Sequence, residues 1–321
     1  MKKVVLVTGI GGNVGQGILR NIRSFNSQIK LIGSNIEQIS AGNHFCDQNY
    51  VVPYAYDKDY ISEVEKIVDR ESVDLIIPST DYEALYLAKS KLSTISLVPN
   101  YESVEILLDK YKTWIFFEAN GIPFAKSYLP KKYKEGTFSE FIIKPREGRG
   151  SRGLAFNPKD LSIYNDEYIV QNLYKGIELT CAVYVDKNGN IHGLITLQRE
   201  LVNGATNNCW VNDDYDDQLQ EIALKMVEKM SLRGAFNIQA IVENGVAVPF
   251  EINCRISGTN SIRSQFGFKD VQYAIQEYLF DEVPQRILIV KGSATRVLMD
   301  VIYPGCPNLK ESTSQTESYL Y

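Results

Sequence analysis

The sequence predicts an α/β protein: a parallel-sheet domain first, then a domain of α+β character. Apolar runs alternate with helix-length amphipathic segments through the first hundred residues, which is the pattern of parallel strands joined by right-handed crossovers. Beyond them, strands follow one another directly around Asn-Gly turns, so their pairing is antiparallel. With 321 residues, the chain is long enough for two or three compact units.

The elements follow in order. "KKVVLVTG" reads as a buried strand, "GQGILRNIRSF" as a helix and "IKLIGSN" as a strand. The amphipathic "KDYISEVEKIVDRE" precedes the strand "VDLIIPST", then come the helix "DYEALYLAKSKL" and the short strand "ISLVPN". A helix runs through "YESVEILLDKYKTWIFFEAN" and stops at Gly121-Ile122-Pro123, where glycine ends it and proline prevents its resumption. Short strands around a glycine-rich loop occupy Phe141 through "DEYIVQNLY". Two hairpins follow, turning at Asn188-Gly189 and Asn244-Gly245, with the amphipathic helix "DQLQEIALKMVEKMSLRG" between them. The tail after Pro304 is polar and lacks an apolar period, so it is expected to be disordered. The domains expected are 1–100, 101–306 (with a lid at about 114–174) and the tail 307–321.

Composition narrows the function. A net charge of −5 argues against a general nucleic-acid binder. No run approaches the roughly 20 apolar residues of a membrane span, and the short apolar run after Lys2-Lys3 enters a glycine turn, unlike a secretory leader. Cys46, Cys181, Cys209, Cys254 and Cys306 are scattered, without a CxxC pair, which fits reduced thiols in the cytoplasm. Only His44 and His192 are available, too few for a histidine metal site.

Four constellations carry the chemistry. In "VTGIGGNVGQG" the glycines permit a tight turn, and the helix N-terminus after it favours an anion. It resembles the phosphate-cradling turn of a Rossmann unit, but the second strand ends in Ser34 and Asn35 where a dinucleotide site would place an acid, with Glu37 late, so the glycines equally fit tight strand-to-helix packing alone. In "FIIKPREGRGSRG" a strand delivers Lys144 beneath a loop whose free amides suit a polyphosphate, with Arg146, Arg149 and Arg152 adding positive potential. In "FNIQAIVENGVAVPFEINCR" alternation puts Glu251, Asn253 and Arg255 on one face, and Gln239 lies across the hairpin. One carboxylate with two amides is an oxygen set suited to Mg2+. Asp109, Lys110 and Lys112, on the helix before "NGIP", offer a second cation.

In this order, "LLDKYKTWIFFEANGIP", "FIIKPREGRGSRG", "IVQNLYKGIELTCAVYVD", "FNIQ" and "PFEINCRISGTNSIRSQFG" resemble the ATP-grasp superfamily, and most closely the synthetase domains of the carbamoyl-phosphate synthase large subunit. The resemblance extends to about Pro304. It implies a Rossmann-like pre-ATP-grasp domain followed by a two-lobed ATP-grasp domain, with the glycine turn (Gly11, Gly12, Asn13) shaping a substrate cleft. It also implies that Lys110, Lys144, Gly148, Arg149, Gly150 and Ser151 meet ATP phosphates. Backbone at Gln171, Asn172 and Leu173 meets adenine, and Glu178 holds the ribose. Gln239, Glu251 and Asn253 hold Mg2+ (or Mn2+). Arg255 and Lys144 act on the transferred phosphate, while Arg263 contacts substrate; apart from the resemblance, Arg199 in "QRELVNGATNNCW" is a candidate carboxylate clamp. Two positions depart from the family pattern: Gln171-Asn172 stands where an acidic hinge residue is common, and Cys254, where proline is common, is read as a packing substitution.

The activity implied is that of a stand-alone carboxylate–amine ligase releasing ADP, with small-molecule acid and amine as its partners and a homodimer as its assembly. A single ATP-grasp unit without a glutaminase is not expected to make carbamoyl phosphate alone. The alternatives are an NAD(P)-dependent oxidoreductase or epimerase using the opening turn, and a non-catalytic nucleotide-binding subunit.

Overall fold

The computed structural model describes residues 2–148 and 153–321. Its first domain is a parallel sheet of β1 (Val4–Thr8), β2 (Lys30–Asn35), β3 (Gln48–Val51), β4 (Leu75–Ile77) and β5 (Ile95–Ser96), in the order β3-β2-β1-β4-β5. Helices α1 (Asn13–Phe25), α2 (Tyr60–Glu71) and α3 (Asp81–Lys89) connect the strands. Alternation along β1 serves both faces: Val5 and Val7 join the core that takes Ile18, Leu19 and Ile22 of α1, while Val4 and Leu6 join the core that takes Val64 and Ile67 of α2. Full burial of each such side chain contributes roughly 1.5–3 kcal/mol.

The opening turn has a packing reason for two of its glycines. Gly9 sits at φ +64°, and a Cβ on Gly17 would fall 2.3 Å from Asn260 Oδ1. The second glycine therefore lets α1 dock against α7 (Asn260–Arg263) of the second domain, where Asn260 Nδ2 donates to Val14 O at 3.2 Å.

The single helix expected before Gly121 is two helices, α4 (Tyr101–Leu108) and α5 (Lys110–Ala119). Asp109 breaks them: its extended backbone ends α4, and its carboxylate caps α5 by accepting from Tyr111 N and Lys112 N. Lys110 is thereby the first residue of a new helix.

Two antiparallel sheets follow. The smaller contains β6 (Ser127–Tyr128), β7 (Phe141–Pro145), β8 (Ala155–Phe156) and β9 (Tyr168–Asn172), ordered β6-β9-β7-β8. The larger contains β10 (Ile177–Val185), β11 (Ile191–Val202), β12 (Ala205–Val211), β13 (Gly234–Glu243), β14 (Val246–Asn253) and β15 (Ser293–Thr295), ordered β14-β13-β10-β11-β12-β15. Asn244 and Gly245 both adopt positive φ, as a two-residue hairpin turn requires. Helix α6 (Asp216–Lys229) buries Leu219, Ile222, Ala223 and Met226.

The polar tail departs from its expected disorder. Val301–Ile302 pairs with Tyr319–Leu320, Ser318 Oγ lies 2.7 Å from His44 Nδ1, and Ser314 Oγ donates to Gln48 Oε1. Side-chain hydrogen bonds to the first domain order the segment without an apolar core of its own. Among the described residues, no helix is long and apolar enough to cross a membrane.

Candidate active site

The site is built on the β13–β14 ladder. Gln239 stands directly opposite Glu251, and Asn253 lies opposite Asn237 two residue pairs further on, on the same face. The three predicted metal-binding side chains come together in a chain of hydrogen bonds. Gln239 Nε2 donates to Asn253 Oδ1 at 3.0 Å, and Asn253 Nδ2 donates to Glu251 Oε1 at 3.2 Å. Their oxygens suit a hard cation, and with one carboxylate among them a bound ion would complete its shell with phosphate oxygens or water. No group of three or more His, Cys, Asp or Glu side chains elsewhere among the described residues offers another metal site.

On one side of this ladder is a cavity of about 260 Å³ carrying both lysines. Lys110, buried, donates from its ammonium to Gly148 O at 3.3 Å and lies 3.6 Å from Glu251 Oε2, while its amide donates to Arg146 O at 3.0 Å. Lys144, also buried, projects from β7, donates to Phe250 O at 3.2 Å and lies 5.1 Å from the centre of the Phe250 ring. Burial, reinforced by the neighbouring Lys110 charge, lowers its pKa to about 7 against the opposing pull of Glu251 and Glu178. Burial raises the Glu251 carboxyl, but the Lys110 and Lys144 ammonium groups, with Asn253 and Arg255, outweigh it and hold the group below its ordinary range.

The hinge also lines this cavity. Asn172 N donates to Lys126 O and Leu173 N to Glu140 O, so both amides are spent within the fold. Among the described residues Tyr174 N has no partner, which shifts the free donor one residue beyond the predicted Gln171–Leu173. The Gln171 side chain is buried and donates to Ser127 Oγ. Glu178 lines the cavity, held by Arg199 through Nε at 2.9 Å and Nη2 at 2.6 Å, and the same Nη2 reaches Gln239 Oε1 at 2.7 Å. Arg199 therefore organises both groups, and it also lines the neighbouring cleft.

That cleft, of about 690 Å³, lies between the two domains. The predicted Gly11, Gly12 and Asn13 line it from the first domain, and Gln239, Glu251, Asn253 and Arg255 from the second. Arg255 spans the two, donating from Nη2 to Asp81 Oδ2 at 2.6 Å. Tyr54 and Tyr56 stack at 5.2 Å near its mouth.

Two arginines depart from expectation. Arg146 is not a free phosphate cation, because its guanidinium is taken by Asp109 and Asp166 O. Arg263 does not face substrate: at 1% exposure it is bound to Asp270, Ser257 and Thr259. Breaking such a buried pair costs about 3–5 kcal/mol. Arg263→Ala is accordingly expected to lower the thermal midpoint sharply, as followed by calorimetry; an unchanged midpoint would contradict the core role. Cys254 is buried, its thiol pushed up to about 12 by burial, as befits a packing residue. The predicted contacts Arg149, Gly150 and Ser151 lie outside the described residues.

Sequence reasoning missed Asp81, Tyr174 and Asn237. Asn237 had a visible signal, since it sits two residues before Gln239 on the same strand face.

The ATP-grasp domain family matches residues 107–259, which span both lysines, the hinge and the Gln239–Glu251–Asn253 rung. Residues 107–259 form an ATP-grasp domain. Residues 5–97 match the family described as the PylC-like N-terminal domain. The carbamoyl phosphate synthase large chain of Thermoplasma volcanium is 22% identical over 289 residues, covering 77% of this chain but 26% of that protein. The corresponding chain of Arthrobacter sp. is 24% identical over 339 residues, covering 89% and 30%. The chain thus spans about a quarter of the length of the first of these relatives.

Among solved structures, N5-carboxyaminoimidazole synthetase from Staphylococcus aureus complexed with ADP superposes with a TM-score of 0.75 at 15% identity, covering 92% of this chain and 82% of that one. The biotin carboxylase domain dimer of Hydrogenobacter thermophilus 2-oxoglutarate carboxylase, in complex with MgADP and bicarbonate, gives 0.70 at 16%, covering 91% and 73%. These likenesses establish the ATP-grasp fold. They leave the oxidoreductase alternative without support.

Proposed function

We propose that this chain is an ADP-forming ligase that phosphorylates a substrate carboxylate with MgATP and couples the acyl group to an amine. The observation that carries the reading is the Gln239–Glu251–Asn253 rung. It stands between a cavity with two buried lysines and a cleft reached by Arg255 and the glycine turn.

ATP occupies the lysine cavity. Its adenine edge meets Tyr174 N–H and the Asn172 carbonyl, two residues apart on one edge of the chain, and its ribose meets Glu178. Lys110 and Lys144 offset the phosphate charge. Magnesium held by Gln239, Glu251 and Asn253 would supply charge neutralisation at the phosphates, and an all-oxygen set accepts manganese as well.

A carboxylate oxygen bonds to the γ-phosphorus as the bond from that phosphorus to the bridging oxygen breaks, and the electron pair leaves on ADP. The amine then bonds to the acyl carbon, the carbon–phosphate oxygen bond breaks, and phosphate departs with the proton lost by nitrogen. The residues align and screen charge without forming a covalent bond to substrate. We further infer a homodimer acting in the cytoplasm. Five cysteines free of disulfides support the compartment, and the dimeric biotin carboxylase domain supports the assembly.

The test is ADP release measured across pairs of carboxylic acids and amines with and without magnesium. Release that needs acid, amine and magnesium together is expected. Nucleotide binding with no turnover on any pair would instead favour a non-catalytic subunit.

A further inference from the structure

Two residue pairs beyond Gln239–Glu251, on the same face, a buried donor remains unused. Asn237 stands opposite Asn253, two residues and therefore about 7 Å along the strand from Gln239. It is 1% exposed and lines the interdomain cleft. Its Oδ1 accepts from Thr180 Oγ1 at 2.9 Å and from Ser257 Oγ at 3.0 Å, whereas its Nδ2 has no partner. A buried amide donor without a partner costs about 1–3 kcal/mol, so its retention calls for a ligand.

The surroundings orient this amide. Arg263 Nη1 donates to Ser257 Oγ at 2.8 Å, and Ser257 passes its own hydrogen to Asn237 Oδ1. A relay headed by a guanidinium favours the carbonyl end of the amide and turns the nitrogen away. Ser257 is followed by Gly258, where a Cβ would lie only 3.3 Å from Asn13 Nδ2. The same loop therefore runs from Ser257, the partner of Asn237, to the first turn of α1, whose N-cap, Gly12, provides no capping side chain. Arg255 Nε is a second donor in the cleft that lacks a partner. Of the acids lining the cleft, Asp81 is engaged by Arg255, Glu83 by the amides of Ser79 and Thr80, and Glu251 by Lys110 and Asn253, while Glu37 is solvent-exposed. Unpaired donors gathered in this way select an oxyanion.

We propose that Asn237 Nδ2 binds and orients the substrate carboxylate, with Ser257 and Arg263 as positioning residues that fix which end of the amide it meets. This rests on the ligase reading and assigns the acid half of its substrate to a particular rung. Donation to one carboxylate oxygen leaves the other directed at the rung where the phosphates gather.

The test uses the uniformly 15N-labelled full chain and sodium acetate as the carboxylate probe, titrated with and without MgADP. The Asn237 side-chain amide pair, assigned by its loss in Asn237→Asp, is expected to shift saturably with acetate and not with sodium chloride. In Asn237→Asp the acetate response of Arg255 Nε–H should move to at least about tenfold higher acetate, with MgADP affinity unchanged. Ser257→Ala keeps Asn237 but removes its relay, and should also weaken acetate. An Asn237 pair that ignores acetate, or variants that respond at wild-type concentrations, would overturn the proposal. Loss of MgADP binding by the wild-type protein would strike the nucleotide reading instead, and leaves the acetate arm standing by itself.

Discussion

Glu251→Gln is expected to reduce magnesium-dependent ADP formation by at least about a hundredfold, the scale on which removal of one preorganised charge-stabilising group acts. The substitution preserves side-chain volume and a hydrogen-bonding end beside Asn253. It removes the carboxylate from the proposed metal-binding set and from the two ammonium groups near it, including Lys110 at 3.6 Å. Glu251→Ala should do the same with the fold intact. A coupled ADP assay over a magnesium series reads the effect, with circular dichroism as the check on folding. Turnover at the wild-type rate would discard the metal assignment.

The second large effect belongs to Lys144. Replacing it with alanine should weaken ATP by about 2–3 kcal/mol, or roughly 30- to 150-fold in Kd, because a buried charge facing polyphosphate is lost. The pH dependence gives a sharper signature. In the free protein this amine titrates near 7, so above that value it is mostly neutral. A triphosphate beside it favours the charged form and raises its pKa, so binding at about pH 8.5 takes up a proton. Affinity should then decline as pH rises above about 7, until the pKa of the complex is passed. Calorimetry in buffers of different ionisation enthalpy measures the uptake, and in Lys144→Ala it should vanish. Unchanged affinity, or identical uptake in the variant, would remove Lys144 from the site.

The sequence exposed the parts of the site that lie within single elements. Alternation along β14 put Glu251 and Asn253 on one face, and Asn244-Gly245 set the hairpin register that brings Gln239 opposite. The parallel order of the first sheet followed equally from strand–helix alternation. Contacts between elements were hidden. Nothing local distinguishes Arg263, sealed against Asp270, from an arginine that meets substrate, and nothing local shows Arg146 committed to Asp109. The helix break at Asp109 was concealed for a related reason, since an acidic cap inside an apolar period reads as a surface residue until its partner is known. Tail order likewise depends on side chains more than two hundred residues away, at His44 and Gln48.

Lys110 has two carbonyl ties to the segment that leads into the glycine loop: its amide to Arg146 and its ammonium to Gly148. Only the second involves the side chain, the group that could turn to a phosphate. If Lys110 meets phosphate as proposed, nucleotide and Gly148 would compete for one ammonium, and its transfer to phosphate would free the Gly148 carbonyl in the same event. Once the phosphates departed, the carbonyl would reclaim its partner. The apparent affinity for ATP would then already contain the cost of that exchange.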